Sequence, residues 1–203
     1  MHAQLGSRHR YAHVLGVARL ADRLAAHHGE DTGKARLAGM LHDYARLYPA
    51  ERLVDECERR AMPIDAFERA HPIVLHARLG AELVRERLGV DDEAMLSAIR
   101  KHTVAAPLMS RLDELLYLAD GLEPGRSFPE RAELEALAFA DVDAAMLATL
   151  RASIAFLQKR GAAVAPQTFA ALAVYEAHRP ARAGLAPAAP QPAADERSPV
   201  CPT

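Results

Sequence analysis

The chain has few aromatic residues, and tryptophan is absent. Phenylalanine, tyrosine and tryptophan together make up 5% of its 203 residues. Half of the residues are nevertheless hydrophobic, and alanine and leucine dominate among them. A core of this composition suits helices that pack closely through small side chains better than it suits a β-sandwich. We therefore expect an all-α protein.

Cysteine is also scarce. The two cysteines are Cys57, which falls in a helical pattern, and Cys201, which falls in a proline-rich segment. We expect no structural disulfide between them, as is usual for a cytoplasmic protein. Cys57 is better interpreted as a small buried residue than as a nucleophile.

Long apolar runs and an excess of one charge are missing as well. No stretch of about 18 apolar residues occurs, and the N-terminus has no apolar region of the signal-peptide type. The formal net charge is −2, whereas nucleic-acid binders usually have a basic balance and a basic face. We therefore expect a cytoplasmic protein that acts on a small or anionic partner, and neither a membrane protein nor a nucleic-acid binder.

Helical periodicity dominates the rest of the chain, with glycine, proline and capping residues at the ends of the periodic segments. No alternating strand pattern and no internal repeat is evident. We expect residues 1–178 to form one helical bundle domain and the Pro/Ala-rich residues 179–203 to form a disordered tail. The predicted helices are a first one ending before Gly29, followed by 34–45, 50–61, 73–88, 92–102, 111–122, 143–159 and 168–178.

Several polar side chains fall on helix faces that the apolar pattern predicts to be buried. His13 shares a stripe with Val17 and Leu20, for example. A buried imidazole or carboxylate is costly unless it is hydrogen-bonded, paired or bound to metal. A single such histidine is more often a satisfied core residue, so the argument depends on the set converging. The set comprises His13, His42, His76, His102 and Asp120.

The adjacent pair His42 and Asp43 strengthens this pattern. The two side chains can reach one ion, and the second carboxylate oxygen of Asp43 can bridge to another. Imidazole and carboxylate donors together suit Fe, Mn, Co or Zn and disfavour Ca. A His-Asp pair by itself occurs by chance in many chains.

The ordered set of histidines and aspartates resembles the signature of the HD superfamily of metal-dependent phosphohydrolases. It most resembles the YqeK-type branch, the symmetrical bis(5′-nucleosyl)-tetraphosphatases. The similarity covers roughly residues 8–178 and includes several motifs in the same order. These motifs are RYAHVLGVARLADRLA at Arg10–Ala25, ARLAGMLHDYAR at Ala35–Arg46, VLHARLGAELV at Val74–Val84, AIRKHT at Ala98–Thr103 and LLYLADGLEPGRSFP at Leu115–Pro129.

The resemblance implies an HD-type domain that hydrolyses diadenosine tetraphosphate to two ADP at a two-iron centre, with Mn, Co or Zn as alternative metals. A pair of metals neutralises polyphosphate charge and makes a water nucleophilic. Asp43 would bridge the two metals. The implied ligands are His13, His42, Asp43 and Asp120 for one metal, and Asp43, His76 and His102 for the other.

The resemblance also implies catalytic, phosphate-contacting roles for Arg126 and Arg46. Arg46 stands where related chains often have lysine, and its planar guanidinium changes the geometry of the contact. Ala77 and Arg78 follow His76 where Gly-Pro is common, and Arg78 is either a further phosphate contact or a solvated charge.

Two other functions fit the same residues. An HD hydrolase of another nucleotide or phosphate ester would use the same ligands, and a non-catalytic helical module would keep a vestigial site. The sequence is compatible with a homodimer but does not decide the oligomeric state.

Overall fold

The computed structural model describes the backbone of residues 8–182 and the side chains of residues 9–177. Within this part of the chain the regular structure is helical and no strand is present, as predicted. A short 3₁₀ turn, Pro72–Val74, leads into α5. The helices are α1 (Arg8–His28), α2 (Thr32–Leu41), α3 (Ala50–Arg59), α4 (Ala66–Ala70), α5 (Leu75–Leu88), α6 (Glu93–Lys101), α7 (Arg111–Leu122), α8 (Arg131–Ala140), α9 (Val142–Lys159) and α10 (Pro166–Arg182).

The main hydrophobic core lies between α1, α2, α6 and α7, with α8 and α9 packed against α7 and α10 packed against α9. Leucine and alanine side chains fill it, including Leu20, Leu24 and Leu116, all of which are fully buried. At Gly39 the backbone of α2 approaches α1 so closely that an added Cβ would lie 2.7 Å from the Cα of Ala18. The small residues predicted to allow close helix packing therefore do so at this crossing.

A second, smaller core joins α3 to α5. Leu53 and Cys57 of α3 pack against Leu75, Leu79 and Leu83 of α5. Cys57 is buried and its thiol is free, which agrees with its interpretation as a small core residue. Burial raises the pKa of this thiol to about 11, so it is not a reactive thiolate.

Capping residues determine where several helices begin. The side chain of Ser110 accepts a hydrogen bond from the backbone of Asp113, whose own carboxylate accepts one from the backbone of Ser110. Asp92 caps α6 in a similar way through the backbone N–H of Met95. The predicted start of each of these helices is confirmed.

Other predicted boundaries were wrong. Helix α2 ends at Leu41, not at Ala45, because the following backbone N–H groups bond three residues back and form successive turns over 42–47. Helices α4 and α8 were not predicted. Helix α4 has five residues and depends on a capping box between Asp65 and Glu68, while α8 buries only Leu134 and Ala138 and so shows a weak apolar stripe.

Helix α10 extends to Arg182, four residues beyond the predicted domain boundary at His178. The predicted disordered tail from residue 183 onward lies outside the described residues. Among the described residues, no helix combines the length and apolar character needed to cross a membrane.

Candidate metal centre

The structure brings all the predicted metal ligands together in one cluster between α1, α2, α5, α6 and α7. His13 and Asp120 lie within α1 and α7, and His76 is the second residue of α5. His42 and His102 are the C-caps of α2 and α6, and Asp43 follows in the turn. Ligand atoms within 4.8 Å of one another form three overlapping groups: His13, His42 and Asp43; His42, His102 and Asp120; and Asp43, His76 and His102.

Three of these histidines are oriented by their own helical turn. Nδ1 of His42, His76 and His102 lies 2.8, 2.5 and 2.7 Å, respectively, from the carbonyl oxygen of the residue three positions earlier. A carbonyl oxygen can only accept a hydrogen bond, so each Nδ1 carries the proton and donates it. In the neutral ring, Nε2 then has a free lone pair, which is the form that binds a metal.

These lone pairs face one another in a buried site. Nε2 of His76 lies 3.2 Å from Nε2 of His102, and with both Nδ1 atoms acting as donors neither Nε2 has a proton to share. Nε2 of His42 is buried without a hydrogen-bond partner among the described residues. Burial, together with the neighbouring imidazoles of His42 and His76, lowers the pKa of His102 to about 3, so its ring is neutral. The donor set therefore fits a cation, which would satisfy all three nitrogens.

Asp43 lies between the two halves of the cluster. Its Oδ1 is 3.3 Å from Nε2 of His76, and its Oδ2 is 3.7 Å from Nε2 of His42. Burial raises the pKa of this carboxyl group, but the imidazoles of His76, His42 and His102 around it outweigh burial and hold the pKa well below its usual range. Asp43 is therefore a carboxylate with one oxygen directed toward each half.

His13 and Asp120 form the opposite side of the cluster. Nε2 of His13 lies 3.2 Å from Oδ1 of Asp120, and Nδ1 of His13 lies 3.1 Å from Oε1 of Glu123. Burial opposes the charged form of Asp120, yet the imidazoles of His13 and His42 beside it hold the pKa of Asp120 well below its usual range. For His13, burial lowers the pKa and the hydrogen bond to Asp120 raises it, with a net increase.

The predicted phosphate-contacting arginines occupy different positions. Arg126 is exposed, and its guanidinium donates to the backbone oxygen and Oδ1 of Asp120, at 3.0 and 2.7 Å. Arg46 is half-buried in the turn three residues after Asp43. Arg78, by contrast, bonds Glu68 and the carbonyl of Pro63, so its role in the structure is to hold the segment around α4.

The histidines interpreted as lying at the surface or at helix ends are outside the cluster. His9 and His27 are exposed, and His71 is half-buried. The side chains of His2 and His178 lie outside the described part of the chain. A separate cavity of about 700 Å³ lies between α6, α7 and α10 and is lined by none of the predicted ligands.

Sequence reasoning missed three residues that contact the cluster, although all three lie within the motifs that carry the resemblance. Arg10 donates to Oδ2 of Asp43 at 2.9 Å. The Thr103 hydroxyl lies 3.1 Å from Nε2 of His102, and Glu123 bonds His13. The available signal was helical spacing, because Arg10 and Glu123 each lie three residues from a predicted ligand.

Comparison with known proteins agrees with this geometry. The HD domain family model matches residues 10–125. A protein of Bacillus subtilis (strain 168) named symmetrical bis(5′-nucleosyl)-tetraphosphatase is 39% identical over 161 residues, which cover 79% of this chain and 86% of that protein. A protein of the same name from Halalkalibacterium halodurans is 37% identical over 80% of this chain and 86% of that protein.

A solved structure from Clostridium acetobutylicum has a similar fold. It is described as a predicted HD superfamily hydrolase involved in NAD metabolism, and it is 35% identical in sequence to this chain. The superposition has a TM-score of 0.84 and covers 87% of this chain and 93% of that one. The chain therefore belongs to the HD-domain family and, within it, to the same family as the Bacillus and Halalkalibacterium proteins.

Proposed function

We propose that this protein is a metal-dependent hydrolase that cleaves diadenosine tetraphosphate symmetrically into two ADP. The observation that carries the metal dependence is the buried set of imidazole Nε2 atoms with no proton to share. The names of the relatives that match 79% and 80% of the chain support the substrate and the symmetrical cleavage.

The residues present fit two metal ions. His13, His42 and Asp120 would hold one ion and His76 and His102 the other, with an oxygen of Asp43 on each. When bound, such a pair supplies positive charge for the phosphates and a water that is nucleophilic at neutral pH. The mixture of nitrogen and oxygen donors suits iron, with manganese, cobalt and zinc as alternatives.

We infer that arginines near the cluster bind the polyphosphate. We propose that Arg126 and Arg46 contact phosphoryl oxygens and offset the negative charge that develops as the bond breaks. Arg126 is exposed next to Asp120, so an entering substrate can reach it. Arg10 adds a third guanidinium beside Asp43.

The position of attack determines the products. Water adds to the second phosphorus of one nucleoside half, the bond from that phosphorus to the oxygen of the adjoining half breaks, and ADP leaves. The attacked half becomes a second ADP. Two bulky adenosines can remain outside a buried cluster only if the reacting phosphorus lies near the middle of the chain of phosphates, which favours the symmetrical cut.

Product analysis tests this function. Full-length protein loaded with Fe²⁺ or Mn²⁺ is incubated with diadenosine tetraphosphate, and early products are separated by chromatography. We expect ADP alone, with no turnover after chelation. AMP and ATP in equal amounts would exclude symmetrical cleavage. Rapid hydrolysis of a mononucleotide or NAD without cleavage of the tetraphosphate would favour the second function, a phosphohydrolase of another nucleotide or ester.

We also propose a domain organisation and setting for this activity. Residues 1–178 form the catalytic domain, and residues 179–203 are dispensable for it. The near-neutral charge supports a small nucleotide substrate rather than nucleic acid, in a cytoplasmic enzyme. A homodimer stays a prediction.

A further inference from the structure

Glu123 is a buried carboxylate to which the metal-ligand pattern assigns no role. It follows directly after α7, three residues beyond Asp120, and is 4% exposed. Its Oε1 lies 3.1 Å from Nδ1 of His13, and its Oε2 accepts the backbone N–H of Gly125 at 2.6 Å. Both oxygens of this one side chain are therefore used, one by a predicted metal ligand and one by the loop after α7.

This arrangement distinguishes His13 from the other histidines of the cluster. His42, His76 and His102 donate Nδ1–H to a carbonyl oxygen of their own helical turn. His13 lies in the second turn of α1 and is oriented by a carboxylate from another element. A carboxylate behind a metal-binding imidazole fixes its tautomer and makes its free nitrogen more basic than a carbonyl does.

Two glycines provide the space for this carboxylate. A Cβ added at Gly16 would lie 2.5 Å from Oε2 of Glu123, and one added at Gly125 would lie 2.8 Å from Oε1. Any larger residue at either position would displace the carboxylate from His13. The backbone of α1 at Gly16 therefore lies against the same Glu123 side chain that orients His13, which is one helical turn before Gly16.

The loop held by Glu123 also carries Arg126. The backbone N–H of Arg126 donates to the carbonyl of Glu123 at 2.9 Å, and its guanidinium donates to Oδ1 of Asp120 at 2.7 Å. Glu123 therefore contacts His13 directly and fixes the start of the loop from which Arg126 reaches Asp120.

We propose that Glu123 is a positioning residue that orients His13 for metal binding and, through Gly125, ties this ligand to the loop carrying Arg126. The inference rests on the metal centre of the proposed function. Glu123 does not touch the substrate; it acts through His13 and the loop.

The test is metal affinity of the full-length protein, measured without turnover. Chelator-stripped protein is titrated with Co²⁺, and binding is followed by the visible absorption of the bound ion. Glu123→Gln keeps the shape but loses the charge, so its single amide oxygen can serve only one of the two donors. Gly16→Ala leaves Glu123 intact and displaces only the flexible end of its side chain. Glu114→Gln, a buried carboxylate that bonds Tyr175 elsewhere on α7, is the matched control.

We expect two Co²⁺ per chain in the wild type and in Glu114→Gln. Glu123→Gln and Gly16→Ala should each weaken one of the two sites by about 10- to 100-fold, the size of effect seen when a group behind a metal ligand is removed. The unfolding midpoint of metal-free Gly16→Ala should not fall, because alanine favours a helix interior more than glycine does.

The possible failures are distinguishable. If the wild type binds no Co²⁺, the metal centre itself is wrong. If the wild type binds two ions and both variants bind them with wild-type affinity, the metal centre stands and the role of Glu123 is overturned. A fall in the stability of the metal-free variants with unchanged Co²⁺ affinity would make Glu123 a purely structural residue and would also overturn the inference.

Discussion

At the scale of single residues, the centre depends on which nitrogen of each histidine carries the proton. Backbone carbonyls accept hydrogen bonds from Nδ1 of His42, His76 and His102. The carboxylate of Glu123 accepts the corresponding bond from Nδ1 of His13. The free nitrogens are thereby directed inward, where they meet Asp43 and Asp120. Polar groups that would be costly in a core are kept because they converge on one point.

Asp43 is the residue on which both halves of the centre depend. We expect Asp43→Ala to lose most of its bound metal and its hydrolytic activity, since both carboxylate oxygens face histidine nitrogens. Metal per chain is counted by elemental analysis of the purified variant. Asp55→Ala, which removes an exposed aspartate of α3, serves as the control and should match the wild type. Full occupancy with ordinary turnover in Asp43→Ala would contradict the proposed site.

Replacing the arginines should slow hydrolysis of the substrate without changing the metal content. Arg126→Ala and Arg46→Ala each remove a charge-assisted phosphate contact, which is worth about 1.5–3 kcal/mol, or roughly one to two decades in kcat/KM. Metal content should stay at the wild-type level, because neither arginine is among the residues that could hold a metal. Arg36→Ala, at an exposed position of α2, is the control. Unchanged kcat/KM in both variants would remove these arginines from the substrate site.

At the scale of helices, the C-terminal ends of α2 and α6 contribute to the metal centre. His42 and His102 lie at the C-termini of α2 and α6, where unpaired carbonyls and the helix dipole give a partial negative charge. That charge favours a cation at the point where the two helices end. From the sequence, α2 was predicted to extend through Ala45, and this helix end was therefore missed. The apolar periodicity continues across the turn, but the backbone N–H groups there bond to the carbonyl three residues earlier and no longer to the one four residues earlier.

The crossing of α1 and α2 gives a prediction at this scale. In Gly39→Ala the new Cβ would lie 2.7 Å from the Cα of Ala18, and backbone atoms cannot move aside as a side chain can. We expect a loss of about 1–3 kcal/mol in the free energy of unfolding and a melting temperature lower by several degrees.

Gly80→Ala is the matched control for that crossing. An added Cβ at Gly80 makes only ordinary contacts at 3.7 Å or more, so α5 should accept it without loss of stability. Thermal unfolding of both variants decides the matter. Equal melting temperatures for Gly39→Ala and the wild type would show that α1 and α2 can separate at little cost.

At the scale of the whole molecule, the C-terminal boundary is open to test. Helix α10 contributes Ala171 to the main core, and Tyr175 donates to Glu114 at 2.6 Å. A chain ending at His178 keeps both contacts, so we expect it to retain its melting temperature and hydrolysis. A chain ending at Ala165 loses the helix and should be strongly destabilised. A large fall in melting temperature for the chain ending at His178 would show that residues after 178 support the fold.

The sequence by itself determined the fold class, most helices and the set of residues in the cluster. Leucine and alanine at helical spacing specify buried stripes, and polar residues interrupting those stripes identify His13, His42, His76, His102 and Asp120 as a set. Short or weakly amphipathic helices such as α4 and α8 were not predicted, since they bury too few residues to give a periodic pattern in the sequence.

Only the tertiary structure decided which groups meet across elements. Arg10 reaches Asp43 over 33 residues of sequence, and Glu123 reaches His13 over 110. Spacing along one helix contains no information about such pairs, because the crossing of α1 with α7 and the close packing at Gly16 set their distances. The orientation of His13 was likewise decided in three dimensions, because Glu123 comes from another element, whereas Nδ1 of His42, His76 and His102 finds its acceptor three residues earlier in the chain.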